Sequence, residues 1–153
     1  MKIRIVSVGN KPPKWVSEAL ETYKTRIQNQ CSFEWIEIKP ETKFDSISQK
    51  KKHEANKLLT YMNDTYLIAL DESGHHYSSK EFSEKISSWI ENFPSITFII
   101  GGADGLDSSI TNLSSANLSL SKMTLPHHLV KIFLAEQIYR SLSILNNHPY
   151  HRE

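Results

Sequence analysis

The C-terminal tail of this 153-residue chain holds the side chains best suited to chemistry. Tyr150, His151 and Arg152 place a stacking ring, a titratable imidazole and a planar cation at three consecutive positions. Such groups can stack on a nucleic-acid base, donate hydrogen bonds to its edges and bind phosphate. Chain termini are usually disordered and inert, so the position of these three residues alone does not favour a functional role.

A second candidate for chemistry is the pair Gly101-Gly102, which directly follows the apolar run Ser95–Ile100. Glycine at the end of a buried strand lets a ligand approach the backbone, because no Cβ intervenes. The alternative is a tight turn into the next helix. The pair is not a dinucleotide-binding fingerprint, which belongs after the first strand, where Gly9-Asn10-Lys11 lacks it.

Metal and hydrolase chemistry are not expected. The adjacent pairs His75-His76 and His127-His128 cannot share one helix face, and His148 and His151 have no carboxylate or thiolate ligand close in sequence. No G-x-S-x-G nucleophile elbow is present.

The chain also has no features of an exported or membrane protein. Its single cysteine, Cys31, excludes an intramolecular disulfide and favours a reducing compartment. The opening MKIRIVSVGN turns polar too early for a signal peptide, and apolar runs such as Ile96–Ile100 are too short to cross a membrane. We therefore expect a cytoplasmic protein.

Strand and helix patterns alternate along the chain, which predicts an α/β fold with a mainly parallel sheet. The predicted strands contain Ile3–Val8, Phe33–Ile38, Thr65–Leu70, Ser95–Ile100 and Leu118–Leu120. The predicted helices are Pro13–Gln28 after a cap at Asn10, a basic helix with Ala55, Leu58, Leu59 and Met62 on one face, a helix capped by Ser78 and Glu81, a short one from Asp107, and one opened by Pro126.

Ligands of such sheets bind beyond the carboxyl ends of the strands. Here those ends are the loops after Leu70 (Asp71–Gly74), after Ile100 and after Leu120. The apolar surface of the last helix is broad enough to predict burial against more than one neighbour. Its members are Leu129, Val130, Phe133, Leu134, Ile138, Leu142 and Leu145.

Charge is distributed unevenly although the net charge is only +1. Residues 1–60 hold 12 Lys/Arg against 7 Asp/Glu, whereas residues 61–153 hold 6 against 10. The basic half, densest at Lys50-Lys51-Lys52, either contacts a phosphate backbone or is a solvated helix face.

Three stretches carry a specific resemblance: LIALDESG (67–74), IIGGADGL (99–106) and LSLSKMTLPHHLVKIFLAEQIYRSLSILNNHPYHRE (118–153). Together with the opening IRIVSVGN, they resemble the 23S ribosomal RNA pseudouridine-N3 methyltransferases of the RlmH type, in the SPOUT superfamily. The MTLPH loop and the PYHRE tail are the most specific motifs, and the resemblance covers the whole chain. Lys131 stands where arginine is common in the family, which matters only if a bidentate contact is needed.

The resemblance implies a single SPOUT domain over residues 1–153, with a C-terminal trefoil knot in an α/β fold. It implies a homodimer that binds S-adenosylmethionine, with the active site near the subunit interface and no metal. The cofactor-binding residues would be Leu70, Gly101, Gly102, Ser121, Lys122, Met123, Thr124, Leu125 and Pro126.

The implied reaction is methylation of N3 of a pseudouridine in 23S ribosomal RNA, within assembled ribosomes. Tyr150 would stack on the base, while His151 accepts the N3 proton or Arg152 stabilises the resulting anion. Glu136 and Arg140 would orient these groups or only brace their helix. The alternatives are a SPOUT enzyme acting on tRNA, a non-catalytic ribosome-binding protein on the same scaffold, and a conventional nucleotide-binding α/β enzyme.

Overall fold

The computed structural model describes residues 1–152 and contains five strands that alternate with five helices. The strands are β1 (Lys2–Val8), β2 (Ser32–Ile38), β3 (Tyr66–His76), β4 (Ser95–Ile100) and β5 (Ala116–Ser119). The helices are α1 (Lys14–Gln28), α2 (Ile47–Leu59), α3 (Ser79–Asn92), α4 (Ser108–Leu113) and α5 (His127–Leu145). The predicted strand–helix alternation is thus confirmed.

The five strands form one parallel sheet in the order β2-β1-β4-β3-β5. The central strand β4 is the run SITFII, buried from its second residue onward. A strand covered on both faces must be apolar on both faces, which explains the absence of polar alternation.

Helices cover both faces of the sheet. On one face α1, α3 and α5 enclose a core that includes Ile27, Phe82, Phe98 and Leu134. On the other face α2 and α4 cover a smaller core around Ile99. The sheet therefore lies between two helical layers, and its carboxyl edge remains for loops.

The predicted loop after Leu70 is wrong in part, because β3 continues to His76. Its register against β5 shifts, so that both Leu70 and His75 pair with Leu118. A Cβ on Gly74 would lie 2.7 Å from the carbonyl carbon atoms of Asn117 and Leu118. Glycine thus lets β3 resume its pairing close to the β5 backbone after the interruption.

The helices begin close to the predicted positions, with one exception. The cap of α1 is Pro13 rather than Asn10, and Trp15 is 56% exposed although it belongs to the predicted apolar face. The capping box of Ser78 and Glu81 is present, and Asp107 caps α4. β5 begins and ends earlier than the predicted Leu118–Leu120.

The broad apolar surface of α5 divides into two parts. Leu134, Ile138 and Leu142 are buried in the core. That core also contains Ile27 of α1 and Phe82 of α3, so the predicted burial against more than one neighbour is confirmed, while Leu129, Phe133 and Leu145 remain 39–40% exposed.

Candidate functional site

The three predicted cofactor segments lie at the same edge of the sheet. β4, β3 and β5 are neighbours, and parallel strands end on the same side. Gly101-Gly102 follows β4, Leu70 is the last β3 residue before the register shift, and Ser121–Pro126 follows β5. This edge is where open α/β sheets bind ligands.

The glycine loop after β4 requires glycine for two reasons. A Cβ on Gly101 would lie 2.7 Å from the carbonyl carbon of Gly105, closer than real Cβ atoms approach backbone. Gly105 has φ +82°, a left-handed conformation that side chains disfavour. The Gly105 N–H donates to the Gly102 carbonyl at 3.0 Å and closes the turn.

Gly102 has more space than Gly101. A Cβ there would lie 3.4 Å from Val8 Cγ1 and 3.5 Å from Glu54 Oε1. The fold thus does not itself demand glycine at this position. Glu54 is a buried carboxylate of α2 that accepts the Glu41 N–H at 3.0 Å, and sequence reasoning missed it. Glu54 stands four residues before buried Leu58 on the helix, and this spacing could have identified it as a buried position.

The loop Ser121–Pro126 is held by its first residue and leaves apolar surface open. The Ser121 carbonyl accepts the Ser119 hydroxyl at 3.0 Å, and its own hydroxyl accepts the Met123 N–H at 2.9 Å. Met123 is 78% exposed. The loop therefore combines a fixed backbone with an uncovered thioether side chain.

A buried ion pair lies beside this edge, and sequence reasoning did not identify it. The Lys131 side chain is 0% exposed, and its Nζ lies 3.0 Å from Glu37 Oε1 and 3.2 Å from Oε2. A Cβ on Gly9 would lie 2.9 Å from Lys131 Nζ and 3.1 Å from His127 Nε2. Lys131 shares the buried face of α5 with Leu134, three residues on, which was the available signal.

The first turn of α5 carries a neutral histidine. Burial lowers the pKa of His127, and the neighbouring Lys131 ammonium and His128 lower it further, against a hydrogen bond with Val8 that raises it. The buried Nε2 of His127 has no hydrogen-bond partner within residues 1–152.

The tail candidates are held against α5. The Tyr150 hydroxyl donates to Glu136 Oε1 at 3.1 Å, and the Tyr150 ring packs on Tyr139 with centroids 4.6 Å apart. The Arg140 guanidinium lies 4.9 Å from the Tyr150 ring centroid and donates to Glu136 Oε1 at 2.6 Å. The predicted link between Glu136, Arg140 and the tail is therefore present in the structure.

Arg140 also fixes the tautomer of His151. Arg140 Nη1 lies 3.1 Å from His151 Nδ1, and a guanidinium can only donate. Nδ1 must therefore accept, which leaves the proton of the neutral ring on Nε2. Burial raises the pKa of Tyr150, with hydrogen bonds to Tyr23 and Glu136 as further causes, so its phenol is protonated.

The structure does not bring the tail and the cofactor loop of one chain together. Glu136 lies nine residues after His127, which is about 14 Å along a helix axis. Arg152 is exposed, and Glu153, the last residue of the PYHRE motif, lies outside the described residues.

A hollow of about 80 Å³ lies between α3, β5 and α5. Its lining residues are Tyr77, Ser79, Phe82, Leu118, Ser119, Leu120, Phe133 and Gln137. None is a predicted cofactor residue, and pockets for small-molecule ligands usually span roughly 300–1,000 Å³. The predicted cofactor residues therefore do not line this hollow.

Residues 1–152 contain no group of three or more His, Cys, Asp or Glu side chains arranged to hold a metal ion. No helix in the same range is long and apolar enough to cross a membrane.

Comparison with known proteins decides the family. Residues 1–151 match the model of the family described as predicted SPOUT methyltransferase. The chain belongs to this family. The resemblance seen in the motifs is thereby confirmed.

Relatives and solved structures agree with this membership. The chain is 44% identical to the ribosomal RNA large subunit methyltransferase H of Francisella philomiragia, over 99% of this chain and all of that protein. It is 41% identical to the protein of the same name from Methylobacillus flagellatus, over the full length of both. The tRNA (m1G37) methyltransferase of Aquifex aeolicus is 13% identical, with a TM-score of 0.60 over all of this chain and 76% of that one, which shows a shared fold.

Proposed function

We propose that this protein transfers a methyl group from S-adenosylmethionine to N3 of a pseudouridine in 23S ribosomal RNA, within assembled ribosomes. The observation that carries the proposal is the full-length similarity, at 44% identity, to a ribosomal RNA large subunit methyltransferase. The three loops at one sheet edge support it. Residues 1–153 act as one SPOUT domain, with the knotted path that the resemblance implies, in the cytoplasm where ribosomes are.

The residues at the sheet edge fit S-adenosylmethionine. Backbone groups of Gly102 and of Ser121–Pro126 hold the adenine, while Leu70 and Leu125 pack on it. Gly102 supports this assignment, because the fold itself would accept a Cβ there, so that a need for glycine would come from a ligand close to the backbone. The Glu54 carboxylate beside Gly102 supplies negative charge for a cofactor whose sulfur is cationic.

When bound, S-adenosylmethionine supplies an electrophilic methyl group. The protein must hold the base and remove the N3 proton. Tyr150 stacks on the base, and Arg152, exposed and always charged, stabilises the anion that deprotonation leaves. Holding the reactants in alignment provides much of the acceleration.

The hydrogen bond of His151 limits its role as a base. While Nδ1 accepts from Arg140, the ring presents a donor at Nε2 and no acceptor for the N3 proton. His151 accepts a proton only after the tail leaves Arg140. This favours Arg152 as the group that stabilises the anion of the base, while His151 donates a hydrogen bond to the base.

A homodimer completes this site. Leu129 and Phe133 are four residues apart and therefore lie on one side of α5, where both are apolar and exposed, as a subunit interface requires. Because the tail of a chain lies far from its own cofactor loop, it serves the cofactor site of the partner subunit.

The deciding experiment is methyl transfer from labelled S-adenosylmethionine to 30S, 50S and 70S particles that lack the modification, followed by mapping of the labelled base. We expect label at one pseudouridine of 23S RNA, on 70S particles. Absence of label on every particle, despite cofactor binding, would overturn the substrate assignment in favour of tRNA. Absence of cofactor binding would favour the non-catalytic alternative.

A further inference from the structure

The loops after β1 and β2 lie at the same sheet edge as the cofactor loops. The Gly9 N–H donates to the Ile38 carbonyl at 2.9 Å, which joins the two strand ends. The loop after β2 is tied to α2 by the bond from Glu41 N–H to Glu54. Since the same Glu54 lies beside Gly102, the middle of α2 is a neighbour of the glycine loop.

This region carries five lysines, which outnumber its two exposed or half-buried carboxylates, Glu41 and Asp45. Lys39 and Lys43 lie on the loop after β2, and Lys50, Lys51 and Lys52 on α2. Among residues 1–152, none of these five forms an ion pair within 4.0 Å. Three adjacent like charges repel one another, and an anionic partner relieves that repulsion.

The positive field of these lysines extends to the loop that follows Gly101-Gly102. The hydrogen bonds from Ser109 are the main reason that the pKa of Asp107 is low, and Lys51 and Lys52 lower it further. Asp107 caps α4, which follows this loop directly. The cationic surface is therefore continuous with the candidate cofactor site.

A stacked ring pair borders the lysines. The rings of Phe44 and His53 lie 4.1 Å apart at an interplanar angle of 21°. Phe44 is half-buried and supports His53, which is exposed. Aromatic faces among cations are typical of surfaces that bind nucleic acids, where phosphates and bases need both.

We propose that the surface formed by Lys39–Ser46 and the first half of α2, through His53, docks the phosphate backbone of the RNA substrate beside the target nucleotide. Lys50 and Lys51 are half-buried one turn before Glu54 and Ala55, on the side of α2 that carries the Glu54 contact with the glycine loop, whereas Lys52 and His53 are exposed. The three lysine side chains contact phosphates that pass across these two sides of the helix, and the ring of His53 stacks on an unpaired base. The proposal rests on the proposed function, since it assumes an RNA substrate.

The test compares two variants of the full-length protein with equal loss of charge. K50Q/K51Q/K52Q removes the α2 lysines, and glutamine retains helix propensity. The matched control, K24Q/K80Q/K85Q, removes three lysines of α1 and α3. Circular dichroism and S-adenosylmethionine affinity, which should match wild type in both, establish that each is folded.

Methyl transfer to 70S particles is then measured from about 50 to 300 mM KCl, a range over which phosphate contacts lose much of their affinity. For K50Q/K51Q/K52Q, we expect the KM for ribosomes to rise on the order of tenfold near physiological salt, with kcat retained, and the slope of log affinity against log salt to fall by about 2–3. The control should behave as wild type.

Equal KM and salt slope in the two triple variants would overturn the docking surface, as would loss of cofactor affinity in K50Q/K51Q/K52Q alone. If wild type transfers no methyl group to any particle, the proposed function fails separately. Sedimentation of the variants with ribosomes then still decides whether the lysines bind RNA, and K51E provides the same test if the triple variant does not fold.

Discussion

Replacing Glu37 by glutamine should destabilise this protein far more than the same change at a surface glutamate. Glu37 neutralises Lys131, whose side chain is 0% exposed, at 3.0 Å. Glutamine leaves one oxygen acceptor but removes the charge, so a buried ammonium remains without a counterion. At an effective dielectric constant of about 20, attraction at this distance is roughly 5 kcal/mol.

The net loss should be smaller than that attraction. Glu37 itself is 36% exposed, which admits water to one side of the pair, and glutamine still accepts a hydrogen bond. We therefore expect E37Q to lower the free energy of unfolding by about 2–3 kcal/mol, below the 3–5 kcal/mol typical of fully buried pairs. This corresponds to about 1 M in the urea midpoint.

The matched control is E34Q on the same strand. Glu34 pairs with Lys2 at 2.7 Å and with Arg4 at 3.1 Å, and the three side chains are 41%, 39% and 21% exposed. Water reaches both cations when the Glu34 charge is removed, so the expected loss is about 0–1 kcal/mol. Equal losses in E37Q and E34Q would refute the reasoning.

A second comparison tests whether stability falls more when Lys131 or when Glu37 is left without its partner. K131M leaves the Glu37 carboxylate, which water can reach, whereas E37Q leaves an ammonium that water cannot reach. K131M should therefore cost less than E37Q, and E37Q/K131M should be more stable than E37Q alone. Urea unfolding of wild type and the three variants measures this double-mutant cycle. A double variant that is less stable than both single variants contradicts the prediction.

Three further predictions concern the cofactor, the base and one cap. G102A should keep wild-type stability, because its Cβ meets Val8 and Glu54 no closer than 3.4 Å. It should nevertheless weaken S-adenosylmethionine binding about tenfold or more, as measured by calorimetry, and unchanged affinity would remove Gly102 from the site. R152A should abolish methyl transfer to ribosomes while cofactor affinity survives, and full activity in that variant would end its assigned role. Since a hydrogen bond with the Ser78 backbone lowers the pKa of Glu81 below the ordinary 4.5, the stability that Glu81 adds is complete above that pH and disappears as pH falls through the folded value. The stability advantage of wild type over E81Q in urea should therefore shrink between pH 6 and pH 3, and a constant difference would argue against the cap.

The sequence by itself determined the class of fold and the family. A short apolar run between a proline and a glycine, such as SITFII between Pro94 and Gly101, is typical of a strand buried on both faces, and helix periodicity between such runs predicts crossovers in a parallel sheet. Local chemistry also fixed the capping box of Ser78 and the cap at Asp107, because a cap depends on residues within one turn. The motifs around Gly101 and Pro126 were specific enough to identify the SPOUT family.

Only the tertiary structure decided which charged groups meet. The ion pair of Lys131 with Glu37 joins residues 94 positions apart, and Glu54 reaches Gly102 from another helix. Periodicity assigns a residue to a face but does not say what lies opposite, so neither contact was predictable. The same limit applies to β3, whose pairing with β5 resumes beyond Leu70 because Gly74 fits against that backbone.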